Sequence, residues 1–100
     1  MEEQASTKSL KLKKPDLYVV ARFLDTLHNH GEPMKKTNLQ MRVGLNYIRF
    51  MEYLNWLTYN GLVQKVIDNE SELYRLSPKG LEVYHKLIEL IKDILKATKF

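Results

Sequence analysis

Between positions 46 and 55 the chain carries a run of side chains able to read base edges: Asn46, Tyr47, Ile48, Arg49, Glu52 and Asn55. Arginine forks onto guanine or a phosphate, asparagine pairs with adenine, and isoleucine packs on a thymine methyl. A tyrosine hydroxyl can donate to a phosphate. Each residue also has a plainer use. Asn46 suits a helix cap, Tyr47 could simply cover a turn, and Glu52 suits an ion pair better than a cytosine. Lys35, Lys36 and Arg42 precede this run, and Lys65 and Arg75 follow it. Cations so placed neutralise phosphates and set position without reading sequence.

Catalytic chemistry is poorly served by the same inventory. His28, His30 and His85 are scattered, and there is no cysteine. Neither an HExxH metal helix nor a phosphate-cradling glycine loop is present. A site built from His28, His30 and a carboxylate is a remote alternative to solvated loop histidines. The expectation is a protein that is not an enzyme and takes no cofactor or metal.

The elements that would position these residues follow from periodicity and punctuation. Pro15 and the cap Asp16 open a helix whose apolar stripe is Leu17, Val20, Ala21, Leu24 and Leu27; it should run to about His28. Asn29 to Pro33 is loop chemistry. A short helix over 36–43 follows, broken by Gly44, with Leu45 as a core plug in the turn. Asn46 then caps a third helix that ends near Asn60, with Gly61 as its left-handed stop. Its core face is assigned to Phe50, Leu54 and Leu57, leaving Trp56 and Tyr59 as exposed aromatics. Two β-prone runs, 62–67 and 72–76, flank the turn residues Asp68 to Ser71 and predict a hairpin. Ser77-Pro78 starts a last helix, expected over 78–97.

This order is mainly α with a small β-hairpin. A short helix, a glycine turn and a second helix form a helix-turn-helix, and the hairpin behind it is a wing. The third helix is narrow enough to enter a major groove, and the helix before it braces the unit. The acids Asp68, Glu70 and Glu72 at the wing turn would be repelled by phosphate, so the wing tip should contribute less than the helix.

More specific are the residues themselves: Leu45-Asn46-Tyr47, Tyr53-Leu54, Leu57, Gly61-Leu62-Val63, and Tyr74-Arg75-Leu76-Ser77-Pro78-Lys79-Gly80. Over about residues 16 to 97 the chain resembles archaeal winged-helix proteins. In these a Leu-Ser-Tyr turn opens the recognition helix, Gly-Leu-Ile enters the wing and Tyr-x-Leu-Thr-x-x-Gly leaves it. It is also similar to the ten-kilodalton chromatin proteins of that group, whose C-terminal helices pair as an antiparallel coiled coil. Asn46 departs from the usual serine but keeps capping chemistry. Ile48, Met51 and Glu52 stand where the group often has basic or polar residues.

The last helix carries two apolar seams at alternating three- and four-residue spacing. One is Leu81, Tyr84, Ile88, Ile91 and Leu95; the other is Val83, Leu87, Leu90 and Ile94. One seam can pack on the body, and the other then needs a partner. A homodimer through Leu81, Tyr84, Leu87, Ile88, Ile91, Ile94 and Leu95 is expected, which would present two recognition helices to one duplex. The divisions expected are a mobile basic arm over 1–15, a winged-helix domain over 16–77 and a dimerisation helix over 78–100.

A chain of 100 residues with 44% hydrophobic and 28% charged residues fits one globular domain. The net charge of +4 favours an anionic partner, and no stretch is long and apolar enough to span a membrane. Duplex DNA, a second copy of the chain and a cytoplasmic, nucleoid-associated location are the resulting expectations. Within that reading a transcription regulator competes with a sequence-tolerant chromatin protein. Outside it, a protein–protein module anchored on Ile48, Trp56 and Tyr59 is the rival.

Overall fold

The computed structural model describes Leu12 and residues 14–97. Most of the expected arm lies outside the described residues. Its described end is not all peripheral: Leu12 is buried in the core. Helix α1 spans Leu17–His30, two residues beyond the expected end. Asp16 caps it, its carboxylate accepting from the Tyr18 N–H at 2.8 Å, and Gly31 closes it at φ 80°. Strand β1, Met34–Lys35, was not foreseen. Helices α2 (Lys36–Val43) and α3 (Tyr47–Tyr59) follow, then strands β2 (Val63–Asp68) and β3 (Ser71–Leu76). Helix α4, Pro78–Ala97, has the expected bounds.

The expected two-stranded hairpin is thus part of a three-stranded antiparallel sheet in the order β1-β3-β2. Met34 and Lys35 pair with Tyr74 and Leu73. The reason lies in Met34: its side chain is buried, and pairing β1 with β3 satisfies backbone that burial takes from water. In the wing, Asp68 faces Ser71, and the two residues between them, Asn69 and Glu70, both have positive φ. Two such residues make the tight turn whose twist suits a hairpin.

Phe23, Leu24, Leu27, Leu39, Val43, Phe50, Tyr53, Leu54 and Leu57 fill the core between the first three helices. Phe23 stacks on Phe50 at 5.4 Å and on Tyr53 at 6.1 Å. The Arg22 guanidinium donates to the Val43 carbonyl at 2.9 Å. It thereby ties α1 to the last turn of α2, where helix carbonyls lack partners.

Helix α4 corrects the two-seam expectation. At about 100° per residue, Val83, Tyr84, Leu87, Ile88, Ile91, Ile94 and Leu95 form one stripe about 140° wide. The body covers most of its first half: Tyr84 is buried, and Val83, Leu87 and Ile88 pack on the core, while Leu81 at its edge stays exposed. Further on, Leu90, Ile94 and Leu95 are each at least half exposed. The division is along the helix, not around it.

Tyr84, expected at a dimer seam, is instead occupied within the protomer. Its hydroxyl donates to the Asp25 carboxylate at 2.6 Å and its ring stacks on His28 at 4.7 Å. The hydrogen bond to Asp25, and burial after it, push its phenol up to about 12. A hydrogen bond to a charged group contributes about 1.5–3 kcal/mol, so Tyr84→Phe should lose that much in urea unfolding at pH 7. The phenol of the unfolded chain titrates near pH 10. Because the folded value is raised, the contribution is complete below pH 10 and lost as the pH rises towards 12. The stability gap between wild type and Tyr84→Phe should therefore be flat to pH 10 and close above it. A gap that persists unchanged at pH 12 would remove the Asp25 bond as its cause.

Candidate nucleic-acid interface

The helix-turn-helix is held by its turn. Gly44 takes φ 74° and its N–H donates to the Gln40 carbonyl at 3.0 Å. The Gln40 side chain reaches across to the Leu45 carbonyl at 3.3 Å, and Leu45 packs on the core as a half-buried plug. Asn46 caps α3, its side-chain oxygen accepting from the Arg49 N–H at 2.9 Å. The capping reading of Asn46 is therefore occupied.

On α3, Tyr47 and Ile48 are exposed at the N-terminal end, Ile48 by 71%. Arg49 and Asn55 are exposed beside them, and Glu52 is half-buried. The Arg49 guanidinium is drawn back along the helix. It lies 3.4 Å from the Glu52 carboxylate and 5.1 Å from the centre of the Tyr53 ring. An exposed pair at this spacing is worth about 0.3–0.5 kcal/mol. Releasing Arg49 towards a base or phosphate thus costs little against the 1–3 kcal/mol of a good bidentate contact.

Sequence reasoning missed Tyr53. It is fully buried, with its hydroxyl at the end of the Arg49 contact. Trp56, expected to be exposed, is half-buried against the core, whereas Tyr59 is exposed as expected.

The flanking cations divide into two groups. Lys36, Asn55, Lys65 and Glu72 line a groove of about 370 Å³ between α3 and the wing. Lys65 lies 3.9 Å from Glu72 across the strands, and burial, then the charge of Glu72, push the Tyr74 phenol up on the same side. Lys35 is exposed at the start of α2 and makes no cap with its side chain.

Arg42 and Arg75 lie elsewhere. Arg42 bonds to Asn38 at 3.4 Å and lines a pocket with Asp25, Thr26, Asn29 and His30 on the α1 side. Arg75 pairs with Gln64 at 3.2 Å on the opposite sheet face from Lys65, because strand neighbours alternate. Those two side chains border a pocket with Leu27, His28, Pro33 and Leu81. The structure therefore gathers Lys36, Asn46, Tyr47, Ile48, Arg49, Glu52, Asn55 and Lys65 along α3 and its groove, and sets Arg42 and Arg75 apart.

His28 belongs to the aromatic contact with Tyr84, and its ring lies 5.8 Å from that of His85. Among the described residues no group of three or more histidines and acids could hold a metal ion, and no helix is long and apolar enough to cross a membrane.

A helix-turn-helix followed at once by a sheet-paired hairpin defines a winged helix, and the winged helix-turn-helix family profile matches residues 16–96. The chain belongs to that family. No curated protein matches the sequence significantly.

Among solved structures it is similar to Sso10a-2, a DNA-binding protein from Sulfolobus solfataricus. That match has 20% identity and a TM-score of 0.68, covering 83% of this chain and 84% of that one. It is also similar to the PcaV transcriptional regulator from Streptomyces coelicolor, with 28% identity and a TM-score of 0.69 over 78% of this chain and 59% of that one. A third is the transcriptional regulator BldR from Sulfolobus solfataricus, with 20% identity and a TM-score of 0.65 over 82% and 63%. The expected fold is thereby established. At 20% identity the likeness to Sso10a-2 is one of fold.

Proposed function

We propose that this protein is a homodimeric transcription regulator that binds duplex DNA, inserting α3 into the major groove. The observation that carries the reading is the N-terminal end of α3, where Tyr47, Ile48 and Arg49 are all exposed. The Lys36–Lys65 groove opens beside Asn55, further along the same helix. Polar, aromatic and aliphatic groups in that mixture suit base edges better than phosphate alone. Lys35, Lys36 and Lys65 supply positioning charge, and Arg42 and Arg75 do not belong to this face. The exposed far half of α4 supplies the dimer contact, through Leu90, Ile91, Ile94 and Leu95.

One observation favours a second reading, a sequence-tolerant nucleoid protein. Sso10a-2, which matches this chain over 84% of its own length, is described simply as a DNA-binding protein and not as a regulator.

Titration into a random-sequence duplex at rising salt tests both. Neutralising about four phosphates per protomer, or about eight per dimer, gives a log–log slope of about −7, on the order of a 10⁴-fold loss between 50 and 200 mM salt. Arg49→Ala should weaken binding by about tenfold. Selection from a random pool that enriches a motif supports the regulator, and a flat pool supports the nucleoid protein. An absence of binding at low salt would sink both and favour a protein partner.

A further inference from the structure

The segment before α1 is tied to the recognition helix by two anchors. The first is the Asp16 N–H, which donates to the Tyr53 hydroxyl at 2.9 Å. The second is Leu12, four residues earlier, whose side chain is buried in the core. Between them Lys14 is exposed, and among the described residues it makes no ion pair. The hydroxyl that holds Asp16 also lies 3.4 Å from the Arg49 guanidinium. Lys14 is two peptide units from Asp16, so their Cα atoms are at most about 8 Å apart. The Lys14 Cα therefore lies within about 16 Å of the Arg49 guanidinium.

The Tyr53 hydroxyl is not needed to fill the core. The ring is fully buried and stacks on Phe23, and a phenylalanine ring would pack there equally well. Asp16 itself is exposed, and its bond to the hydroxyl lies at the part-buried edge of the core. What the hydroxyl adds is direction: it fixes the course by which the chain enters α1, on the α3 side of the domain. A fixed backbone lowers the entropy of ordering that a tethered lysine must lose on meeting a phosphate.

Resting on the DNA-binding reading above, we propose that Tyr53 is a positioning residue for a further phosphate contact. Its hydroxyl clasps the root of the N-terminal segment so that Lys14 meets the DNA backbone beside the groove entered by α3. The ligand is a backbone phosphate, and the contact adds affinity without sequence preference.

A double-mutant cycle in the full-length protein tests this. Wild type, Lys14→Ala, Tyr53→Phe and the double variant are titrated into the random duplex across a salt series, with Arg49→Ala as control and melting curves for each. Lys14→Ala should weaken binding about three- to tenfold at low salt and reduce the salt slope by about one. Tyr53→Phe should weaken binding while keeping its melting transition, and should cost nothing further in the Lys14→Ala background.

An unchanged salt slope in Lys14→Ala would overturn the proposal, and as a surface substitution this variant does not depend on the core. A Tyr53→Phe loss that persists in full without Lys14 would overturn it too, placing the effect on Arg49. If wild type fails to bind, the DNA reading itself falls. If wild type binds and responds to Arg49→Ala but not to Lys14→Ala, only the clasp falls.

Discussion

Leu90→Lys combined with Leu95→Lys is expected to leave a folded monomer with DNA affinity lowered by about two orders of magnitude. Both leucines are half exposed in the single protomer, by 50% and 55%, so the protomer's own fold asks little of them. Full burial of a leucine gains about 1.5–3 kcal/mol, so each has about 1–1.5 kcal/mol left to gain against a partner. Two leucines on each of two protomers sum to about 5 kcal/mol. Losing that raises the dimer dissociation constant by at least about a thousandfold. The added lysines also bring like charges together.

The patch is wider than α4. Leu17 and Tyr18, exposed at the start of α1, border a small cleft with Leu87, Leu90, Ile91 and Ile94. Five large apolar residues exposed at one end of a small domain suit an interface better than solvent. The effect on DNA follows from linkage, because two tethered half-sites exceed one by roughly 10²–10⁴. Sedimentation of both proteins at micromolar concentration checks the first part and titration the second. A wild type that sediments as a monomer would remove the dimer, and an unchanged affinity in a monomeric variant would remove the bivalent binding mode.

What could be read in the sequence was its punctuation. Asp16, Asn46 and Ser77-Pro78 start helices, and Gly31, Gly44 and Gly61 stop them in the left-handed region. These signals act within four residues, so they survive without knowledge of the tertiary structure. β1 carries no such signal: two residues cannot alternate, and only pairing with Leu73 and Tyr74 makes them a strand.

Helix α3 shows the other limit. Apolar or aromatic residues occupy nearly every side of it, so periodicity could not separate Tyr53, fully buried, from Tyr47 and Tyr59, which are exposed. The candidate site was legible as residue types at a helix start. Which cations share its face was not. Lys65 and Arg75 differ only by the sheet face they point to, and Lys36 and Arg42 by the side of α2. The stripe on α4 was likewise visible, but where the body stops covering it depends on how far α1 reaches along it.

Gly80→Ala is expected to destabilise the protein by about 3 kcal/mol, although the same change on an exposed helix would stabilise it. Alanine normally gains about 0.5–1 kcal/mol over glycine inside a helix. Gly80, however, is buried in the first turn of α4. A Cβ there would stand 2.9 Å from the Leu62 carbonyl carbon and collide with its oxygen. That carbonyl cannot turn aside freely, because it accepts from the Ser77 N–H at 3.1 Å while the Leu62 N–H donates to Leu57 at 2.9 Å.

Nor can α4 lift away without loss. The Ser77 hydroxyl, itself buried, donates to the Gly61 carbonyl at 2.5 Å and accepts from the Gly80 N–H at 2.8 Å. The serine, the proline after it and the glycine thus act together: one caps the helix, one sets its first turn, and one lets that turn touch the chain leaving α3. Overpacking against backbone costs about 1–3 kcal/mol or more, and here the buried hydrogen bonds of Ser77 are at stake as well. For a domain of this size the melting temperature should fall by about 12–24 °C. A melting temperature within about 2 °C of wild type would mean that the turn at Leu62 yields. A rise would mean that α4 does not press on it at all.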